Sequence, residues 1–224
     1  MLKLIVTIDG PAASGKSTVA RLLAQRIGAH FLDTGAMYRA VTYAVLRAGL
    51  NLTDSSAVLA EVDRHTFRFT AQDGGMTVSL DGVVIDKAIR DPDVTAQIRY
   101  IANAPAIRSV LVDWQRHFAD DHERIVTEGR DQGTVAFTQA QVKIFLTADP
   151  RERAERRHAE LLKQGKNESL ESILQAVIAR DQSDQNREVG ALRPAEDAVH
   201  VDTTGLTIEQ VVDRIEAVVR ERTS

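Results

Sequence analysis

The sequence predicts an α/β fold built on a parallel sheet, and three observations support this prediction. Short apolar runs alternate along the chain with segments whose apolar residues recur at helical spacing. The first such pair is an apolar run at residues 3–8, followed by Val19, Leu22 and Ile27 on one helical face. The alternation is interrupted once, at residues 66–85, by β-rich runs separated by Asp-Gly turns. Strands that alternate with helices are typical of a parallel sheet covered by helices.

The remaining elements follow the same patterns. Buried strands are predicted at residues 31–32, 124–127, 142–147 and 198–201, which with the first strand make five. Helices are predicted at residues 37–48, on either side of Pro105, at 151–163, at 169–183, and from Thr207 onward. Thr207 and Gln210 have the spacing of a capping box. Residues 66–70, 76–80 and 83–85 are expected to form a small antiparallel sheet.

The composition limits the classes of protein to which the chain can belong. It has 224 residues, of which 43% are hydrophobic and 27% charged, the balance of a folded domain. No stretch approaches the ~18 consecutive apolar residues of a membrane-spanning helix. The chain has no cysteine, and its net charge of −4 argues against a protein that coats nucleic acid. We therefore expect a cytoplasmic protein whose partners are neither membranes nor nucleic acids.

Residues 10–17 match the phosphate-binding pattern G-x-x-x-x-G-K-[ST] at every position. Gly10 and Gly15 allow backbone turns in which successive N–H groups point at phosphate oxygens. Lys16 supplies a cation for the β- and γ-phosphates, and the hydroxyl of Ser17 is a ligand for Mg²⁺. The motif lies between a predicted strand and a predicted helix, as it requires. The predicted ATP-binding residues are Gly10, Pro11, Ala12, Ala13, Ser14, Gly15, Lys16, Ser17 and Thr18.

Arginines are concentrated where an anionic substrate could be held. Arg130 and Asp131 follow a predicted strand, at the sheet edge where α/β proteins bind ligands. Two further sets have helical spacing: Arg153, Arg156 and Arg157, and then Arg180, Asp184 and Arg187. A helical arginine beside carboxylates is more often a solvated surface pair, and this alternative applies most strongly to the first set.

Other motifs argue against a GTPase or a metalloprotein. The guanine-reading tetrapeptide Asn-Lys-x-Asp does not occur. Residues 202–205 match the loose D-x-x-G pattern of a GTPase switch, but they follow the last predicted strand, so we interpret the match as coincidence. The six histidines lack metal-ligand spacing. A P-loop kinase fits these observations better than a switch.

Several segments, taken in order, identify the chain as similar to a known family. They are Ile8-Asp9-Gly10-Pro11 and the sequences LDTGAMYR at residues 32–39, GRDQGT at 129–134, VKIFLTA at 142–148, RDQSDQNR at 180–187 and DTT at 202–204. Together they resemble bacterial cytidylate kinases over essentially the whole chain. The resemblance implies transfer of the γ-phosphate of ATP to CMP or dCMP, with Mg²⁺ as the metal ion, by direct in-line displacement in a monomeric enzyme.

The resemblance also implies an arrangement of lobes. A P-loop NTPase core with a five-stranded parallel sheet spans residues 1–224 as one domain. An acceptor-binding insert occupies about residues 36–120 and contains the small antiparallel sheet. A short helical lid occupies about residues 151–190. The insert holds the acceptor, and the lid closes over the phosphates and excludes water.

Roles for individual residues follow from the same likeness. Arg39, Arg130 and Arg187 would hold the acceptor phosphate, with help from Thr34. Arg108 and Asp131 would contact the base, since a carboxylate accepts from the exocyclic amino group that cytosine has and uracil lacks. Asp184, with Arg180, would hold the ribose hydroxyls. The predicted catalytic residues are Lys16, Arg130, Arg153, Arg157 and Arg187, of which Arg153 and Arg157 would swing in as the lid closes.

The chain departs from the family pattern at three positions. Arg99 stands where the family places a serine against the base, Gln132 where an apolar residue is common, and Thr138 where a proline is common. Three alternatives to this activity remain, of which a nucleic-acid-binding module is the weakest, because the chain is acidic and only 4% of its residues are aromatic. A kinase for another acceptor, such as UMP, AMP or shikimate, would share the phosphate loop and differ at the base-contacting residues. A non-catalytic regulatory protein would bind a nucleotide without transfer, but it leaves the clustered arginines without a role.

Overall fold

A five-stranded parallel sheet forms the centre of the computed structural model, which describes residues 3–163 and 165–223. The strands in chain order are β1 (Leu4–Asp9), β2 (His30–Asp33), β3 (Phe67–Gln72), β4 (Gly75–Leu80), β5 (Val83–Val84), β6 (Arg124–Gly129), β7 (Val142–Thr147) and β8 (Val199–Asp202). The central sheet has the order β2-β6-β1-β7-β8, and all of its pairings are parallel. The predicted fold class is thereby confirmed. The predicted single domain also includes residues 1, 2, 164 and 224, which lie outside the described residues.

Eight α-helices accompany the strands in the described part of the chain. They are α1 (Lys16–Arg26), α2 (Thr34–Arg47), α3 (Ser55–Asp63), α4 (Pro92–Ala102), α5 (Pro105–Asp120), α6 (Pro150–Lys163), α7 (Leu170–Gln185) and α8 (Ile208–Thr223). Every predicted helix is present, and the capping box of α8 is formed: the Thr207 N–H donates to Gln210 Oε1, and the Gln210 N–H to Thr207 Oγ1. None of the helices described is long and apolar enough to cross a membrane.

Besides a three-residue 3₁₀ helix at Ala88–Arg90, two elements were not predicted. The first is α3, a nine-residue helix whose N-terminus is capped by Asp54, which accepts from the N–H groups of Ser56 and Ala57. The second is a single π-helical turn at Gln132–Ala136, directly after the Arg130-Asp131 pair. A π-turn is often found at a functional site because its wider backbone redirects the neighbouring side chains.

The sheet core explains why β1, β6 and β7 read as nearly continuous apolar runs. Helices pack on both faces of a parallel sheet, so side chains pointing either way are buried. Val6 and Ile8 of β1, Val126 of β6 and Leu146 of β7 are fully buried and pack with α1 and α8. A second cluster joins α2, α4 and α5 to the other side of the sheet.

The antiparallel sheet β3-β4-β5 lies within the predicted insert. Its strands pair in register from Phe67 opposite Leu80 to Gln72 opposite Gly75. Val78 and Leu80 pack on Ala36, Ala40 and Ala44, small residues that form one face of α2. The small antiparallel sheet is therefore anchored to α2, the helix that begins at the carboxyl end of β2.

His65 links α3 to the turn between β4 and β5. Its Nε2 lies 2.9 Å from Oε1 of Glu61 and its Nδ1 lies 2.7 Å from Oδ2 of Asp81. A protonated ring donates to both carboxylates at once. The hydrogen bonds with Asp81 and Glu61 therefore raise the pKa of His65 above its ordinary value of 6.5.

We expect His65→Gln to destabilise the protein more at pH 6 than at pH 9. Because the pKa of His65 is higher in the folded than in the unfolded state, its contribution is fully present below pH 6.5 and is lost as the pH rises through the folded-state pKa. Urea unfolding of both proteins at both pH values measures the difference. His117→Gln is the control, since the described residues place that ring against the carbonyl oxygen of Asp113 and no carboxylate. Equal destabilisation by His65→Gln at both pH values would contradict the bridge.

Candidate functional site

The phosphate-binding motif forms a loop between β1 and α1. A Cβ at Gly10 would overlap the carbonyl oxygen of Leu146 on the neighbouring strand β7, so only glycine fits there. Gly15 has a left-handed backbone with φ of 88°, and Ala13 also has a positive φ of 58°. Such residues turn the backbone so that consecutive N–H groups line a concave surface for an anion. Helix α1 begins at Lys16, directly after Gly15, and the positive end of its dipole adds to the attraction for an anion.

Lys16 is buried and folded back onto its own loop. Its Nζ donates to the carbonyl oxygen of Pro11 at 2.6 Å and lies 3.4 Å from Ser14 Oγ. Burial, and next the positive charge of Arg130, lower the pKa of Lys16 to about 7. A phosphate bound beside Lys16 would raise the pKa of the lysine again, because a nearby negative charge favours the ammonium form. The buried lysine and the bound anion would therefore stabilise each other.

Glu128 is a site residue that the sequence analysis missed. It lies near the end of β6, is buried, and accepts a hydrogen bond of 2.9 Å from the hydroxyl of Ser17. The pKa of Asp33 on the adjacent strand β2 is raised mainly by burial, and the negative charge of Glu128 is the second cause. The signal in the sequence was its place at the end of a buried strand, two residues before Arg130.

Ser17 and Glu128 together form a site suited to Mg²⁺. Magnesium prefers oxygen ligands and usually takes one or two protein groups beside substrate phosphates and water. Elsewhere in the described chain, no group of three or more His, Cys, Asp or Glu side chains could hold a metal ion. The donor set therefore fits an ion that arrives with a nucleotide, rather than a resident metal.

Asp184 organises a cluster of arginines beside the phosphate loop. One of its oxygens accepts from Nε of Arg130 at 2.7 Å, and the other accepts from Nη2 of Arg187. Burial raises the pKa of this carboxyl, but the charges of Arg130 and Arg187 outweigh it and hold the pKa below its ordinary value. Arg187 lies beyond the end of α7, so the predicted helical face does not extend to it; its side chain folds back instead. Arg187 also donates to Oδ1 of Asn103, at the junction of α4 and α5.

Arg39 and Arg180 are the cations of this region that lack a direct partner. Neither forms a hydrogen bond or an ion pair with the residues that the structure describes. Although Arg180 has solvent-exposed atoms, desolvation within the cleft, and next the charge of Arg130, lower its pKa to about 10. Arg39 is half-buried one turn into α2, and a Cβ on Gly35 would come within 2.9 Å of its Nη1. Both guanidinium groups can take an anionic ligand without first breaking a salt bridge.

The predicted base-contacting residues, Arg108 and Asp131, form a buried ion pair. Nη1 of Arg108 also donates to the carbonyl oxygen of Ala102 at 3.0 Å, while its Nε is buried without a hydrogen-bond partner. Gly190, beyond α7, packs so closely on the pair that a Cβ there would overlap both side chains. The C-terminal end of the predicted lid thus covers these two residues.

Thr34 lies at the same sheet edge, but its hydroxyl is used within the protein. It donates to the backbone carbonyl oxygen of Glu128 at 2.7 Å. Arg99, at the position of the family's serine, is exposed and donates to the hydroxyl of Tyr100 at 3.0 Å.

The two predicted lid arginines occupy different places. Arg153 is buried against the phosphate loop: its Nη1 donates to the carbonyl oxygen of Ala12 at 3.0 Å, and Nη2 lies 2.6 Å from Asp181 of α7. Arg153 therefore lies beside the phosphate loop in this structure, and its catalytic role stays a prediction. Arg157 is 41% exposed and pairs with Glu160, so the structure does not bring it to the site. Its catalytic role stays a prediction that requires a movement of α6.

Arg156, between them, anchors the lid to the core. It donates to the backbone carbonyl oxygen of Thr203 at 2.8 Å and pairs with Glu152, which in turn accepts from the Gly205 N–H. The D-x-x-G match at residues 202–205 therefore has a structural use in holding α6.

These groups converge at the carboxyl edge of one parallel sheet. A phosphate loop with its lysine and a magnesium-suited oxygen pair adjoin a second cationic cluster, close enough for the charges of Arg130 and Arg180 to lower the pKa of Lys16. Two adjacent anion sites are what transfer between two phosphates requires. The fold and the site define a P-loop kinase.

Comparison with known proteins identifies the family. The family model described as cytidylate kinase matches residues 6–221. The cytidylate kinase of Rhodococcus jostii (strain RHA1) is 45% identical over 221 residues, which cover 99% of this chain and 96% of that protein. The cytidylate kinase of Streptococcus pneumoniae (strain 70585) is 44% identical over 223 residues, which cover 99% of this chain and 100% of that protein. The chain belongs to the cytidylate kinase family.

A solved structure supports the fold independently. An uncharacterized protein from Eubacterium ventriosum ATCC 27560 superposes with a TM-score of 0.54 at 13% identity, covering 98% of this chain and 99% of that one. At this identity the similarity bears on the fold alone.

We expect Gly10→Ala to reduce turnover with ATP by about 100-fold, the typical effect of a misplacement of about 1 Å in an active site. The added methyl group must move the loop away from Leu146, so the N–H groups no longer converge. Steady-state kinetics at varied ATP measures this. Gly28→Ala is the control, since it also places alanine at a positive φ of 62° but meets no atom within 4 Å. Unchanged kinetics in Gly10→Ala would show that the loop tolerates the shift.

Proposed function

We propose that the protein transfers the γ-phosphate of ATP to CMP or dCMP and releases ADP with CDP or dCDP. Membership of the cytidylate kinase family makes it an ATP-dependent nucleoside monophosphate kinase. The observation that carries the choice of acceptor is the buried Arg108–Asp131 pair beside the Asp184 arginine cluster. It offers a carboxylate for a base next to guanidinium groups for a phosphate.

The acceptor phosphate would be held by Arg39, Arg130 and Arg187, with Arg180 nearby. Arg39 is free to bind at once. Arg130 and Arg187 share the carboxylate of Asp184, and each guanidinium retains N–H groups for a phosphate oxygen. Such planar forks bind phosphate in a fixed orientation, which places the attacking oxygen.

The base would be read by Asp131. An ionised carboxylate accepts hydrogen bonds and donates none, so it favours the 4-amino group of cytosine and repels the 4-oxo group of uracil. Arg108 would orient Asp131 through their ion pair and present its free Nε–H to the ligand. Because Gly190 covers both residues, the segment after α7 would move aside as the base enters.

The ribose role predicted for Asp184 needs a rearrangement. Both of its oxygens accept from arginines in this arrangement. If phosphate takes over Arg130 or Arg187, one oxygen of Asp184 becomes available for a hydroxyl of the sugar. Its role toward the ribose, with Arg180, stays a prediction.

On the ATP side, Ser17 and Glu128 would hold Mg²⁺. The bound ion would neutralise charge on the β- and γ-phosphates. Lys16 would leave the carbonyl oxygen of Pro11 and bind the migrating phosphoryl group, and the loop N–H groups would stabilise the same charge. Arg153 would add a further cation from its place against Ala12.

The reaction proposed is a direct in-line displacement. The attacking group is already an anionic phosphate oxygen, so no general base is required and none is assigned. We propose that residues 36–120 act as the acceptor-binding insert and that α6 and α7, within residues 151–190, act as a lid that excludes water. We also propose that the enzyme works as a monomer in the cytoplasm.

We expect Asp131→Asn to lower kcat/KM for CMP by about 10–100-fold and to narrow the preference for CMP over UMP, because an amide can donate to the 4-oxo group of uracil. ADP production with CMP, dCMP, UMP, AMP, GMP or no acceptor measures this. The control is Asp113→Asn, which removes an exposed carboxylate of α5. If Asp131→Asn keeps the wild-type preference for CMP over UMP, Asp131 does not read the base. If the wild-type protein turns over another monophosphate fastest, the proposed acceptor is wrong. If no acceptor stimulates ADP production by the wild-type protein, a regulatory protein is favoured.

Glu128→Gln should raise the Mg²⁺ concentration needed for half-maximal activity by about 10–100-fold, the usual effect of altering a group that supports a metal. The amide is similar in size but lacks the charge that attracts the ion. Activity is titrated with Mg²⁺ at saturating ATP and CMP. Glu152→Gln serves as a control, since Glu152 pairs with Arg156 at the base of α6. If both variants give the wild-type Mg²⁺ curve, Glu128 does not take part in metal binding.

A further inference from the structure

Asp9 is a buried carboxylate that the proposed reaction does not use. It is the last residue of β1 and directly precedes Gly10 of the phosphate loop. Its side chain accepts two hydrogen bonds from backbone N–H groups: Oδ1 from Gln132 and Oδ2 from Gly133, both at 2.8 Å. Only 4% of the residue is exposed.

These two bonds reach across the sheet edge to the residues that follow Arg130 and Asp131. Gln132 and Gly133 open the π-helical turn, and the carbonyl oxygen of Asp131 accepts from the N–H of Val135 at 2.8 Å within the same turn. The backbone on the carboxyl side of Asp131 is thus fixed by its own turn and by Asp9. A carboxylate that uses both oxygens sets the orientation of its partners as well as their distance.

We propose that Asp9 is a positioning residue, which fixes Asp131 and Arg130 relative to the phosphate loop and so aligns the acceptor with ATP. This inference rests on the acceptor-binding roles proposed above for Asp131 and Arg130. Asp9 and Gly10 are consecutive, so the same stretch of backbone carries the donor loop and the support of the acceptor residues.

The folding of the turn does not depend on Asp9 alone. The side chain of Gln132 is buried and holds the turn from its other side, since its Oε1 accepts from Thr127 Oγ1 at 2.9 Å and its Nε2 donates to Gln115 Oε1 at 3.1 Å. With this second anchor in place, loss of the Asp9 bonds should shift the turn rather than unfold it. A shift of this kind misplaces the acceptor and leaves the phosphate loop able to bind ATP.

The test is Asp9→Asn in the full chain. The asparagine side chain has one acceptor oxygen and one NH₂ group, whereas the backbone N–H groups of Gln132 and Gly133 both need an acceptor. One of the two hydrogen bonds is therefore lost, and the NH₂ group faces a backbone N–H that it repels. We expect KM for CMP to rise about 10-fold or more, as misplacement predicts, while KM for ATP stays within about 3-fold of wild type. Val6→Ala is the matched control: it weakens the same strand at a fully buried position and leaves the Asp9 bonds intact.

The outcomes separate the possibilities. An increase in KM for CMP alone, absent from Val6→Ala, supports positioning. Equal rises in both KM values, the same rise in Val6→Ala, or no change overturns it. If Asp131→Asn impairs CMP use and Asp9→Asn does not, this inference alone fails; if Asp131→Asn itself has no effect, the proposed base contact fails. If Asp9→Asn does not fold, amide hydrogen exchange in the wild-type enzyme decides: rapid exchange at Gln132 and Gly133 would show that the bonds are not maintained.

Discussion

The attraction between Asp184 and two arginines is the interaction on which the rest of the site depends. Several cations lie together at one sheet edge, where burial, and next the positive charge of Arg130, lower the pKa of Lys16 and of Arg180. Asp184 offsets part of this repulsion by engaging Arg130 and Arg187 with separate oxygens. The compensation is incomplete, since Arg39 and Arg180 remain without a partner among the described residues. A site with a partial deficit of negative charge binds anions because each bound phosphate relieves the remaining repulsion.

The parallel sheet is what brings the opposing groups together. Parallel strands end at one common edge, so residues far apart in sequence become neighbours there. Asp9 on β1 pairs in register with Gly129 on β6, and Asp33 on β2 pairs with Glu128. The carboxylates at these strand ends have three separate uses: Asp9 holds a backbone turn, Glu128 bonds to Ser17, and Asp33 caps α2 through the Ala36 N–H. Burial raises the pKa of Asp9 to about 7, against the two N–H bonds that favour its ionised form.

The limits of prediction from sequence follow from which contacts are local. The phosphate loop was predictable because its glycines, lysine and serine act within eight consecutive residues, and the strands were predictable because burial on both faces leaves uninterrupted apolar runs. Glu128 and Asp9 were missed because their contacts with Ser17 and with residues 132–133 form only when the chain has folded and β1 pairs with β6. Helix α3 was missed because it is short, although Asp54 marked its start. Helical spacing predicted that Arg153 and Arg157 act together. Only the tertiary structure shows that Arg153 lies against Ala12, whereas Arg157 forms a surface pair with Glu160.

The Arg108–Asp131 pair is better explained as a binding site than as a source of stability. Burying both charges carries a desolvation penalty that their attraction only roughly repays, so a well-packed apolar pair would serve the fold at least as well. The pair is also incomplete, because Nε of Arg108 has no partner in the described chain. Gly190 lies directly against the pair and contributes no side chain. It therefore covers the two charged groups without supplying a hydrogen-bond acceptor for Nε of Arg108. A ligand edge that presents both a donor and an acceptor can satisfy Asp131 and Arg108 together, and the cytosine edge has both. Uracil presents a carbonyl oxygen to Asp131, and the repulsion between these two acceptors would be strongest in a site that excludes water. In the base contact proposed for Asp131, the same burial that makes the pair a weak contributor to folding would make it a strong discriminator between bases.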